Sequence, residues 1–188
     1  GDVSRFSVQA ALQTLAMRIS FGVSSDNALK LAKTMESISG MSVEQSLATQ
    51  RDIAYQARRA NLIPDDVIKD MADNAHLIAE FTNDGGKNMA QTAIQARKLG
   101  MSLGTTAKIA NSLLDFESSI NAELEASAML GQSINFNKAR ELAATGDIVG
   151  AQQSVLDNLE KNVDLNNLNK FQLDSIAKAS GMPVAELR

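Results

Sequence analysis

The stretch Ser24-Ser25-Asp26-Asn27-Ala28-Leu29-Lys30-Leu31-Ala32-Lys33-Thr34-Met35-Glu36-Ser37-Ile38-Ser39-Gly40-Met41-Ser42-Val43-Glu44-Gln45 carries the signals of one complete helix and the start of the next. Ser24, Ser25 or Asp26 supplies a cap oxygen for the first free amides. Ala28, Leu31, Met35 and Ile38 then recur at helical spacing. Gly40 stops the run, because it lacks the Cβ that opposes a left-handed residue. Ser42 opens the next helix, and Gln45 stands at the position that closes a capping box.

The same grammar extends in both directions. Toward the N-terminus, Val8, Leu12, Leu15 and Ile19 recur at spacings of four and three that place them on one helical face, and Gly22 ends that helix. Toward the C-terminus, Leu47, Ala54 and Ala57 continue the Ser42 helix to Asn61. Pro64 then fixes a first helical φ, and Asp65 and Asp66 complement the dipole ahead of Ile68, Met71, Ala75 and Ile78. Asn83 to Gly86 breaks that helix. A helix from about Asn88 to Leu99 comes next, then a long one from Ser102 to about Leu130 striped by Ile109, Leu113, Phe116, Ile120 and Leu124. Helices over Phe136 to Ala144, Ile148 to Leu159 and Leu168 to Ala179 complete a count of about nine.

The corners repeat. Gly40-Met41-Ser42-Val43, Gly100-Met101-Ser102-Leu103 and Gly181-Met182-Pro183-Val184 each join a glycine stop, a buried apolar residue and a fresh start. Gly22-Val23-Ser24 and Asn61-Leu62-Ile63-Pro64 are variants. The expected fold is therefore all-α: an array of helical hairpins with short Gly/Ser/Pro corners and no β-sheet. Expected divisions are 1–100 for the N-terminal hairpins and 101–188 for a long helix with C-terminal hairpins. A first residue other than Met and a helix start at Pro183 to Leu187 suggest a segment of a longer chain.

Composition narrows the chemistry. Of 188 residues, 44% are hydrophobic and only 4% aromatic, which favours helix over strand. The absence of cysteine removes disulfides, thiolate metal sites and a cysteine nucleophile. With His76 alone, multi-histidine metal sites drop out and one triad arrangement remains. A net charge of −4 argues against a general nucleic-acid binder. No apolar run is long enough to span a bilayer.

Several local patterns invite sharper readings. Leu99-Gly100-Met101-Ser102-Leu103-Gly104-Thr105-Thr106 has the form of a helix-turn-helix corner, but Lys108 is the only cation near the helix that would read bases. Arg58, Arg59, Arg97, Lys98 and Lys108 are scattered among acids and read as surface. Glu117-Ser118 matches the Glu-Ser pair of a lytic transglycosylase, in which the glutamate is general acid and base. The Gly-Leu-Met-Gln turn of that family is replaced by Met129-Leu130-Gly131-Gln132, and Glu117, Glu123 and Glu125 read as a solvated face. Asp84-Gly85-Gly86-Lys87 lacks the remaining phosphate-loop positions at Phe81 and Asn88. His76 has Asp73 and Glu80 at helical spacing but no second imidazole. Phe136 to Val155 has the small residues of a tetratricopeptide-like hairpin at Ala139, Ala143, Gly146, Gly150 and Ala151. No catalytic, cofactor-binding or metal-binding residue is assigned.

One run is similar to sequence found in tail tape measure proteins of bacteriophages and prophages. It comprises Leu113-Leu114-Asp115-Phe116-Glu117-Ser118-Ser119-Ile120-Asn121-Ala122-Glu123-Leu124-Glu125-Ala126, then Leu130-Gly131-Gln132-Ser133-Ile134-Asn135, Lys138-Ala139-Arg140-Glu141-Leu142-Ala143 and Gly146-Asp147. Ser175 to Met182, with Val184 and Leu187, resembles the next stretch of those proteins. The resemblance implies a structural, non-enzymatic virion protein, made in the host cytoplasm and housed in the tail, that sets tail length and assists assembly and genome delivery. It implies tail tube and tail assembly proteins as partners and self-association in the tail, with no cofactor, nucleic-acid binding or membrane span. A helix-turn-helix DNA-associated protein and a lytic-transglycosylase-like hydrolase are the alternatives.

Overall fold

The computed structural model describes residues 2–79 and 87–187, and the side chains of 8–76 and 89–187. Among them it is all-α, with ten α-helices and no strand. The helices are α1 (Asp2–Phe21), α2 (Ser25–Ser39), α3 (Val43–Arg59), α4 (Pro64–Ala79), α5 (Lys87–Lys98), α6 (Leu103–Leu114), α7 (Phe116–Leu130), α8 (Asn137–Ala144), α9 (Ile148–Asn162) and α10 (Lys170–Ser180). Short 3-10 turns, Leu165–Asn167 and Val184–Glu186, stand before and after α10. The break expected at Asn83 to Gly86 lies outside the described residues. The chain forms two compact units, Gly1–Gly104 and Thr105–Arg188, the division falling inside α6.

The Ser24 to Gln45 stretch folds as its chemistry dictates. Ser24 caps α2, its hydroxyl accepting from the Asn27 amide at 3.2 Å. Ser42 and Gln45 close the box at the start of α3, with reciprocal bonds of 3.2 and 3.0 Å. Gly40 takes φ +66° and donates its N–H back to the Glu36 carbonyl. At Asn61, the variant corner, the side chain tolerates φ +59° where most residues do not.

In the first unit α2 packs on α3 and α4, with α1 and α5 completing it. Leu31, Leu47, Ile68 and Met71 are among its fully buried large side chains. A polar clamp on the α2/α4 pair holds Asp73 between Lys30 and Lys69, the latter at 2.8 Å. Hydrogen bonds from Lys30, then Lys69, hold the Asp73 carboxyl below its usual 3.8. A group depressed in this way stabilises the fold above its unfolded pKa and loses that contribution as pH falls through the folded value. Asp73 is over a third exposed, so the worth at neutral pH is at most about 1 kcal/mol. The Asp73→Asn chain is therefore expected to be less stable than its parent at about pH 7. In urea titrations the gap should begin to narrow below about pH 4 and close as pH falls through the lowered folded value, where the parent's carboxylate is neutral.

In the second unit α7 packs on α10, and α8 on α9. Asn169 and Gln172 form a second capping box at the start of α10, a signal the sequence reading passed over. Gly181 ends α10 at φ +72°, where an added Cβ would lie 2.5 Å from the Cβ of Ser112. Gly181→Ala thus meets both a left-handed backbone, worth about 1–2 kcal/mol, and a blocked space. It is expected to lower the melting temperature measurably, and Gly40→Ala, with open space around it, by less.

One sequence expectation about the helices fails. The single helix from Ser102 to Leu130 is two helices, because Asp115 leaves the helical path and its carboxylate accepts from Ser118 N at 3.4 Å, capping α7. The apolar rows of α1 and α7 point outward. Val8, Leu12, Leu15 and Ile19 are between 49% and 77% exposed, while Ala10, Thr14 and Met17 are buried. On α7, Phe116, Ile120 and Leu124 are exposed, and Ser119, Ala122 and Ala126 turn inward. Small inward residues allow helices to approach closely, and the packing of α7 against α10 uses that.

Candidate interaction surfaces

On α1 the apolar residues occupy opposite sides. Ala10, Thr14 and Met17 seat it on its own unit, and Thr14 returns its hydroxyl to the Ala11 carbonyl at 2.9 Å. The C-terminal end is fastened by Arg58 of α3, which donates to the Ser20 carbonyl at 2.7 Å and lies 5.0 Å over the Phe21 ring. What remains outward is Val8, Leu12, Leu15 and Ile19, with Gln9, Ala11, Ala16 and Arg18 beside them, all exposed. An apolar row of this regularity is of the size and form that marks a protein contact.

The outward row of α7 is bordered by Glu117 and by Glu125, which pairs with Lys178 at 3.2 Å. Beneath it lies a buried ion pair. Arg140 of α8 donates to Glu123 at 2.6 Å, to Ser119 Oγ at 3.0 Å and to Asn137 at 2.8 Å. The same Glu123 oxygen accepts the Phe136 amide at 2.8 Å. Glu123 is thus not part of a solvated face, as its spacing suggested, but the anchor of the turn that leads into α8. Glu117 is exposed, and nothing described encloses it in a sugar-sized cleft.

The cations divide by role. Arg97 is drawn onto buried Asp70 at 3.2 Å, and Asp70 also receives the Leu103 amide at 2.7 Å. Arg59 stacks 6.0 Å over Tyr55, and with Lys98 and the amides of Gln56, Gln91 and Gln95 lines a shallow cleft of about 400 Å³ between α3 and α5. No carboxylate borders that cleft, so it offers no acid–base pair. Lys108 is exposed and lies in the other unit. Leu103, Gly104, Thr105, Thr106 and Ala107, which a helix-turn-helix would offer to base edges, are all buried. Thr105 bonds Glu186 at 3.1 Å, and Thr106 bonds Gln152.

His76 is exposed, and Asp73 is committed to its two lysines; Glu80 and Asp84 to Gly86 lie outside the described residues. Among the described residues no three His, Asp or Glu side chains converge as metal ligands, and no helix is long and apolar enough to cross a membrane. The α8/α9 hairpin expected from Phe136 to Val155 is present, with Phe136, Ala139, Ala143 and Ala151 buried. In comparison with known proteins, the chain matches no family model, no curated protein and no solved structure.

Proposed function

We infer that the chain is a segment of a phage tail tape measure protein, a structural element that sets tail length and assists tail assembly and genome delivery, working with tail tube and assembly proteins. What carries the reading is the run from Leu113 to Asp147 and its continuation at Ser175 to Met182, which resemble that family. Two physical properties support it. The described residues are almost wholly helical, and a helical chain whose corners straighten extends about 1.5 Å per residue, so length can scale with residue number. Its exposed apolar rows on α1 and α7 suit a protein that works in contact with others rather than by chemistry in a pocket.

The test is mass spectrometry of purified tails, tracking the tryptic peptides Ala60 to Lys69 and Leu99 to Lys108. Both are expected at a few copies per particle. In-frame deletion of Thr105–Arg188 from the encoding gene is expected to shorten tails, by roughly 130 Å where that stretch lies in the tube as extended helix. Peptides absent from tails, or tails of unchanged length, would end this reading.

A further inference from the structure

We propose that the outer face of α1 is the seam of an antiparallel contact with a second copy of this chain. The proposal rests on α1 alone and holds whether or not the chain belongs to a tail.

Val8, Leu12, Leu15 and Ile19 are spaced four, three and four apart. This is the alternation by which two helices lock side chains along a straight seam. The outward row of α7, at strict four-residue steps, drifts around its helix instead. The α1 row is exposed in the folded chain, and the opposite side of the helix already holds it to its own unit. Burying the seam therefore requires no rearrangement of the core.

The second copy is singled out by how the face matches itself. In an antiparallel pair centred between Leu12 and Leu15, Leu12 meets the second copy's Leu15 and Val8 meets its Ile19. The flanking positions pair Gln9 with Ala16 and Ala11 with Arg18. Each long flanking side chain thus meets an alanine, and the two Arg18 charges stand at opposite ends of the seam. The flanks carry no acid, so nothing on this face attracts a basic partner, and one cation is too few to favour an anionic surface.

The area suits a weak, reversible contact. Four aliphatic side chains at these exposures, with their flanking alanines and the stems of Gln9 and Arg18, expose roughly 600 Å² per copy, so two copies bury at most about 1,200 Å², the range of transient, concentration-dependent interfaces.

Sedimentation equilibrium on the 188-residue chain tests the contact. The expected result is a concentration-dependent rise from the 20.1 kDa monomer to twice that mass. The Leu12→Glu/Leu15→Glu chain should associate at least about tenfold more weakly while keeping the parent's helical circular dichroism and melting temperature, since both positions are already exposed. A parent that stays monomeric to about millimolar concentration, or a double variant that dimerises like its parent, overturns the proposal.

Orientation is read from disulfides, against a background of no native cysteine. Val8→Cys/Ile19→Cys should form a crosslinked dimer on oxidation. Ile19→Cys alone should not, because an antiparallel pair holds the two sites about 16 Å apart along the axis. Crosslinking by the single variant would overturn the antiparallel register.

Discussion

Truncating Arg140 to alanine is expected to cost the Thr105–Arg188 unit about 3–5 kcal/mol, the loss typical when one member of a buried ion pair is removed. Glu123 would stay behind, inaccessible to solvent and charged, and Ser119 Oγ would lose its donor. The effect should appear in urea unfolding followed by far-ultraviolet circular dichroism. Glu123→Gln is expected to be milder but still costly: an amide oxygen can accept from the Phe136 amide and from Arg140, while the buried Arg140 cation loses its counter-ion. If Arg140→Ala and Glu123→Gln both unfold like the parent, the pair is not what holds the turn at Ile134 to Phe136. That turn seats Phe136, the largest fully buried side chain among the described residues, so its loss would be felt beyond the pair itself.

The second large effect is expected at Asp70. Its carboxylate is buried on α4 and gathers three donors: the Leu103 amide at 2.7 Å, Asn74 Nδ2 at 3.0 Å and Arg97 Nε at 3.2 Å. Leu103 opens α6, so its N–H has no partner within the helix, and a side chain thirty-three positions earlier supplies one. Asp70→Ala should cost about 3 kcal/mol, chiefly from the buried Leu103 amide left without its acceptor, since Asn74 keeps its bond to the backbone carbonyl of residue 70. Arg97 is one-third exposed and regains water. Tyr55, on α3 in the same unit, is the chain's only tyrosine, and tryptophan is absent, so its emission gives a convenient probe of the loss. Asp70→Asn, which keeps one acceptor, should fall between the two.

Neither residue was marked as important by its sequence surroundings, and the reason is physical. Corners are local: a glycine, an apolar residue and a cap act within four positions, so Gly40 to Gln45 could be read directly, as could Gly100 to Leu103 and Gly181 to Val184. Asp70 and Glu123 act on amides thirty-three and thirteen positions away, and helical spacing gives no hint of such reach. The direction of the α1 face is hidden for a different reason. Periodicity shows that a helix has an apolar side, but α1 has two, and the inward one is Ala10, Thr14 and Met17. Small and weakly polar residues pack there because α2 and α3 come close, which bulk hydrophobicity ranks in the wrong order. On α7 the acidic residues looked alike, yet Glu123 alone sits on the same side as Ser119, Ala122 and Ala126. Arg140, on the other helix, was the missing half of the signal. The break at Asp115 is ambiguous in sequence because aspartate serves both inside helices and at their starts.

The glycine corners have a mechanical meaning. At Gly40 no atom stands within 4 Å of where a side chain would begin, so space does not hold the chain in its reversal. Torsion and the packing of α2 on α3 do. A left-handed glycine is nearly free, whereas a left-handed alanine is strained, and alanine gains about 1 kcal/mol over glycine when the same position continues a helix. One methyl group therefore biases the corner toward a continuous helix, and the buried seam of Leu31 and Leu47 is what opposes it. The reversal at Gly40 is thus secured twice, once by a backbone angle and once by the contact it makes possible.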